Sequence, residues 1–175
     1  MGRCPTIETD RLILRPLRED DLDAYTAMYQ TPEVRRWLHL ADDYGRDDAW
    51  ASMASMLGQW ELRNTGNWAL EEQASGAFVG RAGPFWPERK NWPGIEIGWT
   101  LHPDHWGKGY ATEAGAAARD WVFAHHDVDA IYSCILDDNL ASQAVARRLG
   151  FTPWETRVLG GGLEHVVWRL QRAAT

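Results

Sequence analysis

Apolar and polar side chains alternate between residues 95 and 101. Ile95, Ile97, Trp99 and Leu101 share one side, and Glu96 and Thr100 take the other. A period of two marks a strand with one face in a core. Pro103 ends it, because proline brings no N–H to a ladder. Beyond Gly109 the period lengthens. Tyr110, Ala114, Ala117, Trp121 and Ala124 follow at helical spacing, one stripe of an amphipathic helix.

The rest of the chain reads around that unit. Residues 11–17 predict a first strand, with Leu12 and Leu14 on one face. Glu19, Asp20 and Asp21 suit a helix N-terminus, where carboxylates meet the positive end of the dipole. Leu22, Tyr25 and Tyr29 form the stripe of that helix. Thr31-Pro32 reads as a new start, with Thr31 as cap and Pro32 in the first helical position. A long helix spans 46 to about 63, with Trp50, Met53, Leu57 and Trp60 on one side. Gly58 weakens it by about 1 kcal/mol relative to alanine. Residues 68–72 and 77 to about 82 form a hairpin around Ala74-Ser75-Gly76. Residues 84–93, rich in proline and tryptophan, read as a loop. Residues 130–136 show little alternation and predict a strand buried on both faces in mid-sheet. A helix follows to Leu149, with Ala141, Val145 and Leu149 on one side, and Gly150 stops it. Residues 151–158 and 163–170 close the chain as a hairpin through Gly160-Gly161-Gly162. This order predicts an α/β fold, a mixed sheet with helices on both faces, in one domain over residues 1–175.

Composition narrows the class. Hydrophobic residues make up 45% and charged residues 25% of 175 residues, ordinary for a soluble globular chain of this size. The 25 acidic side chains exceed the 18 basic ones, for a net charge of −7. That argues against nonspecific nucleic-acid binding, which basic surfaces drive. Cys4 and Cys134 are too few and too far apart for a disulfide framework or a zinc site. The six histidines show no recognised ligand spacing, so no metal is expected. No apolar run reaches the length of a membrane span, and no apolar signal region follows the N-terminus. A cytoplasmic protein with no membrane partner is expected. Met1-Gly2-Arg3-Cys4-Pro5-Thr6 fits a loose myristoylation pattern. No polybasic patch supplies the second membrane signal, so chance is the preferred reading.

The candidate chemistry begins at Gly107-Lys108-Gly109, between strand and helix. Glycine opens backbone conformations closed to other residues and lets a ligand come close. The free N–H groups of the following helix end suit a phosphate. A P-loop would need glycine at His102 and serine or threonine at Gly109; a dinucleotide fingerprint would need glycine at Thr112. Both fail. By itself the turn is either a shorter anion loop or a plain connector.

The wider stretch Trp106-Gly107-Lys108-Gly109-Tyr110-Ala111-Thr112-Glu113 resembles the acyl-CoA-binding loop of the GNAT N-acetyltransferases, Gln/Arg-x-x-Gly-x-Gly/Ala. Trp106 departs from Gln/Arg, in a form associated with the branch of ribosomal-protein N-terminal (alanine/serine) acetyltransferases and their relatives. A second stretch resembles the family's Asn-x-x-Ala…Tyr…Gly-Phe. Asn139, Gly150 and Phe151 match, and Ala146 stands where many relatives carry tyrosine. The likeness runs from Thr9-Asp10-Arg11-Leu12 to Gly150-Phe151 and beyond.

That resemblance implies a GNAT-like mixed, mostly antiparallel sheet with helices on both faces. It implies direct transfer of an acetyl group from acetyl-CoA, as co-substrate, to a primary amine on a protein N-terminus or a small molecule. The pyrophosphate cradle would be the backbone from Gly107 through Lys108, Gly109, Tyr110 and Ala111 into Thr112, flanked by Trp106. Backbone groups of Trp99, Thr100 and Leu101 would pair with the pantetheine arm and the acetyl carbonyl. Asn139 either bonds the CoA arm, caps its helix, or does both. Glu96 is the candidate base, or else a solvent-facing strand residue. Ser142 is the candidate proton donor in place of the missing tyrosine, or else an ordinary helix serine. Residues 46–63 would wall the acceptor site, with 84–93 near its mouth. A monomer or homodimer is expected. Two other readings stay open: an acyl-CoA-binding module without catalysis, and a nucleotide-binding protein that prefers ATP or NAD to CoA.

Overall fold

The computed structural model describes residues 4–38, 40–159 and 162–173. Most of the myristoylation-like start and Gly160-Gly161 of the last turn lie outside the described residues. One eight-stranded sheet runs in the order β1-β2-β3-β4-β5-β6-β8-β7. Strands β1 (Ile7–Glu8), β2 (Leu12–Arg15), β3 (Trp68–Glu72), β4 (Phe78–Phe85) and β5 (Glu96–Leu101) pair antiparallel in turn. β6 (Ala130–Ile135) lies parallel to β5, and the hairpin of β7 (Thr152–Leu159) and β8 (Leu163–Gln171) joins it through β8. The sheet is mixed and mostly antiparallel, as expected. Strand β1 has no counterpart in the sequence reading, because two residues are too short to show a period.

Helices cover both faces. Along β3, Trp68 and Leu70 join the core under α4 (Tyr110–His125), while Ala69 joins that under α1 (Leu22–Gln30) and α2 (Pro32–Leu38). The third helix, α3 (Arg46–Arg63), packs on α1 and sends Trp60 to Trp68 and Trp121, ring centroids 4.7 and 5.1 Å away. The last helix, α5 (Leu140–Arg148), lies beside α4.

Several stripes differ from expectation by one helical position. On α3 the buried face is Ala49, Met53, Met56 and Trp60; Trp50 and Leu57 are exposed. On α4 it is Tyr110, Ala114, Ala118, Trp121 and Val122, and Ala124 faces solvent. On α5 Ala146 is buried and Ala141 exposed. β6 does alternate, with Ile131, Ser133 and Ile135 buried, though it sits in mid-sheet as expected. β4 extends through Pro84 to Phe85, so the loop begins later than its composition implies. Pro84 fits there because its carbonyl turns away from β5 to accept from Gly66 N–H at 2.9 Å. Thr31 joins the two helices: its hydroxyl donates to the Met28 carbonyl at 2.8 Å to close α1, and its own carbonyl accepts from Arg35 N–H at 3.0 Å in the cap position of α2.

Candidate active site

The site starts where the sheet opens. β5 and β6 are in register only at Glu96 and Tyr132, where Tyr132 N–H donates to Ile95 O at 3.0 Å. Beyond that point β5 stays on β4 to Leu101, and β6 stays on β8 to Ile135. The two strands therefore part towards their C-terminal ends. The antiparallel ladder decides which backbone groups face the gap. His102 N–H donates to Val79 O at 3.0 Å, which sets the phase: Glu96, Gly98 and Thr100 turn towards β4, and Ile97, Trp99 and Leu101 towards the gap. The expected backbone role of Thr100 is thereby corrected, since its N–H and C=O belong to the β4 ladder; Trp99 and Leu101 keep theirs towards the opening. The Leu101 carbonyl already accepts from Trp106 Nε1 at 2.8 Å.

The glycine turn opens α4 in the required form. Gly107 and Gly109 have φ of 75° and 84°, a left-handed region that disfavours side chains. The turn is braced from a distant strand. Arg11 Nη1 donates to Lys108 O at 2.8 Å, and its Nε donates to Glu113 Oε2 at 2.8 Å. Arg11 N–H and the Thr9 hydroxyl both donate to Glu113 Oε1, at 2.8 and 2.7 Å. Burial works against the Glu113 charge, but the Thr9 hydroxyl and the Arg11 amide and guanidinium outweigh it and hold the carboxyl below the usual range. Sequence reasoning gave Arg11 no role, and no local signal could have done so: its partners are about a hundred residues away. The Lys108 side chain leans on His105, 3.4 Å away, and does not line the cleft; its carbonyl is what the turn uses.

A cleft of ≈ 1650 Å³ runs through the gap. On one side it reaches Trp106, Gly107, Gly109, Tyr110, Ala111 and Thr112, with Asn139 and Ser142 opposite. On the other it opens into a chamber walled by Tyr29, Trp37, Tyr44, Phe85 and Trp92. Ser52 and Met56 of α3 also reach it, so part of that helix is wall as well as core. Asn139 caps α5: its Oδ1 accepts from Ser142 N–H at 3.1 Å. The Ser142 hydroxyl accepts from Trp99 Nε1 at 3.3 Å, which leaves its own proton to give. Ala146 is fully buried in the core and lines no part of the cleft.

Glu96 sits at the apex of the gap. Its Oε1 accepts from Cys134 N–H at 3.2 Å, a donor freed on β6 by the parting of the strands. Burial raises its carboxyl to about 7, against the Cys134 amide and the nearby Arg81 and Arg89 guanidiniums. It is not a solvent-facing strand residue. Arg81, across the ladder from Thr100, donates to the Tyr29 hydroxyl and to Asn67 Oδ1. Sequence reasoning missed Arg81 and Arg89. The signal for Arg81 was present: one cation within the apolar run Phe78–Phe85.

The family model described as an acetyltransferase (GNAT) domain matches residues 11–152. An uncharacterized N-acetyltransferase of Bacillus subtilis strain 168, YoaA, is 26% identical over 147 residues, 84% of this chain and 82% of that protein. The crystal structure of an acetyltransferase from Agrobacterium tumefaciens strain C58 superposes with a TM-score of 0.84 at 29% identity, covering 98% of this chain and 97% of the other. A ribosomal-protein-S5-alanine acetyltransferase from Vibrio fischeri gives 0.77 at 14% identity over 95% and 96%, a likeness of fold.

Proposed function

The chain belongs to the GNAT acetyltransferase family, and on that premise we propose that it moves the acetyl group of acetyl-CoA directly to a primary amine, with Glu96 as general base. Residues 1–175 would act as one domain in the cytoplasm; no helix among the described residues is long and apolar enough to cross a membrane. The observation that carries the reading is the gap between β5 and β6. Through it, one continuous cleft joins the glycine turn on one side of the sheet to Glu96 and its chamber on the other.

The roles follow from that arrangement. Backbone amides from Gly107 to Thr112 hold the pyrophosphate, where the dipole of α4 adds positive potential. The pantetheine arm lies in the gap along Trp99 and Leu101, near Asn139, and completes the sheet edge that β6 leaves open. The amine enters from the chamber. An α-amine titrates near 7.7–8.0 and a lysine near 10.4, so either arrives largely protonated at neutral pH. Glu96, with its carboxyl raised to about 7, takes that proton directly or through a water. The neutral nitrogen then forms its bond to the acetyl carbon as the C–S bond breaks; Ser142 gives a proton to the leaving thiolate and regains one through water from the acylated nitrogen, which sheds its second proton. The fold likeness to the Vibrio fischeri enzyme keeps a protein N-terminus among the acceptors.

Titration with acetyl-CoA, ATP and NAD, followed by an amine panel read by release of the CoA thiol, tests the proposal. Binding of acetyl-CoA with turnover of at least one amine is the expected result. Binding without turnover of any amine would mark an acyl-CoA-binding module, and preference for ATP or NAD a nucleotide-binding protein.

A further inference from the structure

The acceptor chamber has more donors than acceptors. Of the acidic side chains that line the cleft among the described residues, Asp10 and Glu113 lie at the glycine-turn end, and Glu96 alone faces the chamber. Against that one carboxylate stand two guanidiniums, Arg81 and Arg89, both of which line the cleft and both of which act on Glu96. Among the described residues neither is in an ion pair. Arg81 is held by two neutral acceptors, the Tyr29 hydroxyl and the Asn67 side-chain carbonyl. Arg89, exposed on the loop after β4, makes no side-chain hydrogen bond among the described residues; its guanidinium rests 5.7 Å from the Phe85 ring centroid and 5.6 Å from that of Trp92. Two further donors, the Tyr44 hydroxyl and Trp92 Nε1, lie sealed in its wall without a partner among the described residues.

Charge then separates the acceptor classes. With Glu96 ionised, the chamber holds two cations and one anion. A polyamine adds only positive charge to that set. A protein N-terminus brings an amine for Glu96 but an amide where the guanidiniums await an anion. A free amino acid brings both an ammonium and a carboxylate, a few bonds apart. The aromatic walls of Trp37, Tyr44 and Phe85 suit an apolar or aromatic side chain. Building on the acetyl-transfer reading, we infer that the acceptor is a free amino acid with an apolar or aromatic side chain, its carboxylate held by Arg89 beside Arg81. The products are the N-acetylamino acid and CoA: the N–C bond replaces C–S, and the ammonium proton leaves through Glu96.

The test compares acids with their neutral analogues. Initial rates are measured with phenylalanine, tryptophan, leucine and methionine, each against its amide and its decarboxylated amine, with spermidine and a peptide with a free N-terminus alongside. Wild-type protein, Arg89→Gln and Arg89→Lys are used. The amides have the more acidic ammonium and so start with an advantage that the inference must overcome. For at least one amino acid, kcat/KM should exceed that of its analogues by about ten- to a hundredfold, the worth of a charge-assisted contact. Arg89→Gln should lower kcat/KM for the amino acid by about ten- to a hundredfold more than for its amide and amine, whatever change all three share through Glu96, and Arg89→Lys should restore part of that difference. Analogues equal to their acids, turnover confined to spermidine or the peptide, or an Arg89→Gln loss shared equally by acid and amide would overturn the inference and leave acetyl transfer standing. Binding of acetyl-CoA with no turnover of any amine would overturn both.

Discussion

A carboxyl group placed between Arg81, Arg89 and the Cys134 amide still holds its proton to about pH 7, because burial disfavours its charge more than those partners favour it. That balance has a consequence for stability. The folded value lies above the ordinary 4.5, so the fold prefers protonated Glu96. This contribution is fully present below about pH 4.5 and lost as the pH rises through about 7. Glu96→Gln stays neutral throughout. It should be more stable than the wild type at pH 8, by about 1–3 kcal/mol, and lose that advantage at pH 4. Thermal unfolding at both pH values measures this; equal stability at pH 8 would mean that the buried charge costs nothing. Ser142 carries a second expectation. Its hydroxyl accepts from Trp99 and has a proton to give. Ser142→Ala should lower the acetylation rate by about 10²-fold, the low end of general acid catalysis, with acetyl-CoA affinity nearly unchanged. An unaltered rate would mean that water protonates the thiolate.

The glycine turn and α4 act as one element, and Gly109 is constrained in it by both backbone and space. At φ 84° the residue is left-handed, and a Cβ there would sit 3.3 Å from Arg11 Nη2. Gly109→Val adds branching to that strain and places a side chain in the proposed pyrophosphate cradle. Calorimetry should find acetyl-CoA binding abolished in a folded Gly109→Val protein; unchanged affinity would move the cofactor site elsewhere. This element was largely legible in the sequence, because glycines between a period of two and a helical period announce a turn at a helix start. The faces of the helices were less so. On α3, Trp50 and Leu57 compete with Ala49 and Met56 for one stripe that shares Met53 and Trp60, and only packing against α1 decides between them. On α4, alanines at 116, 117 and 118 weight neighbouring stripes equally. Arg11 was illegible as a brace, since its contacts with Lys108 and Glu113 exist only once β2 lies beside α4.

At the scale of the whole molecule, the split between β5 and β6 opens one cleft through the sheet, and in the proposed reaction the two substrates would meet there from opposite faces. The glycine-turn side of that split is written in contiguous residues, so its turn and helix start could be read. The chamber side is assembled from α1, α2 and the loop after it, α3, β4 and the loop that follows it, with Glu96 at the junction. No single stretch carries its pattern, which is why Arg81 and Arg89 emerged only with the fold. Both halves meet in the claim that Glu96 deprotonates an amine delivered through the chamber. The rate of acetylation against pH, for wild type and Glu96→Gln with an amine that the panel yields, tests that claim most directly. Wild-type rates should rise as Glu96 loses its proton through about pH 7. Near neutral pH the variant should be slower by about 10²–10⁴-fold, the share of general base catalysis, and the deficit should shrink at high pH, where the free amine is abundant. Wild-type rates in Glu96→Gln near neutral pH would contradict the account.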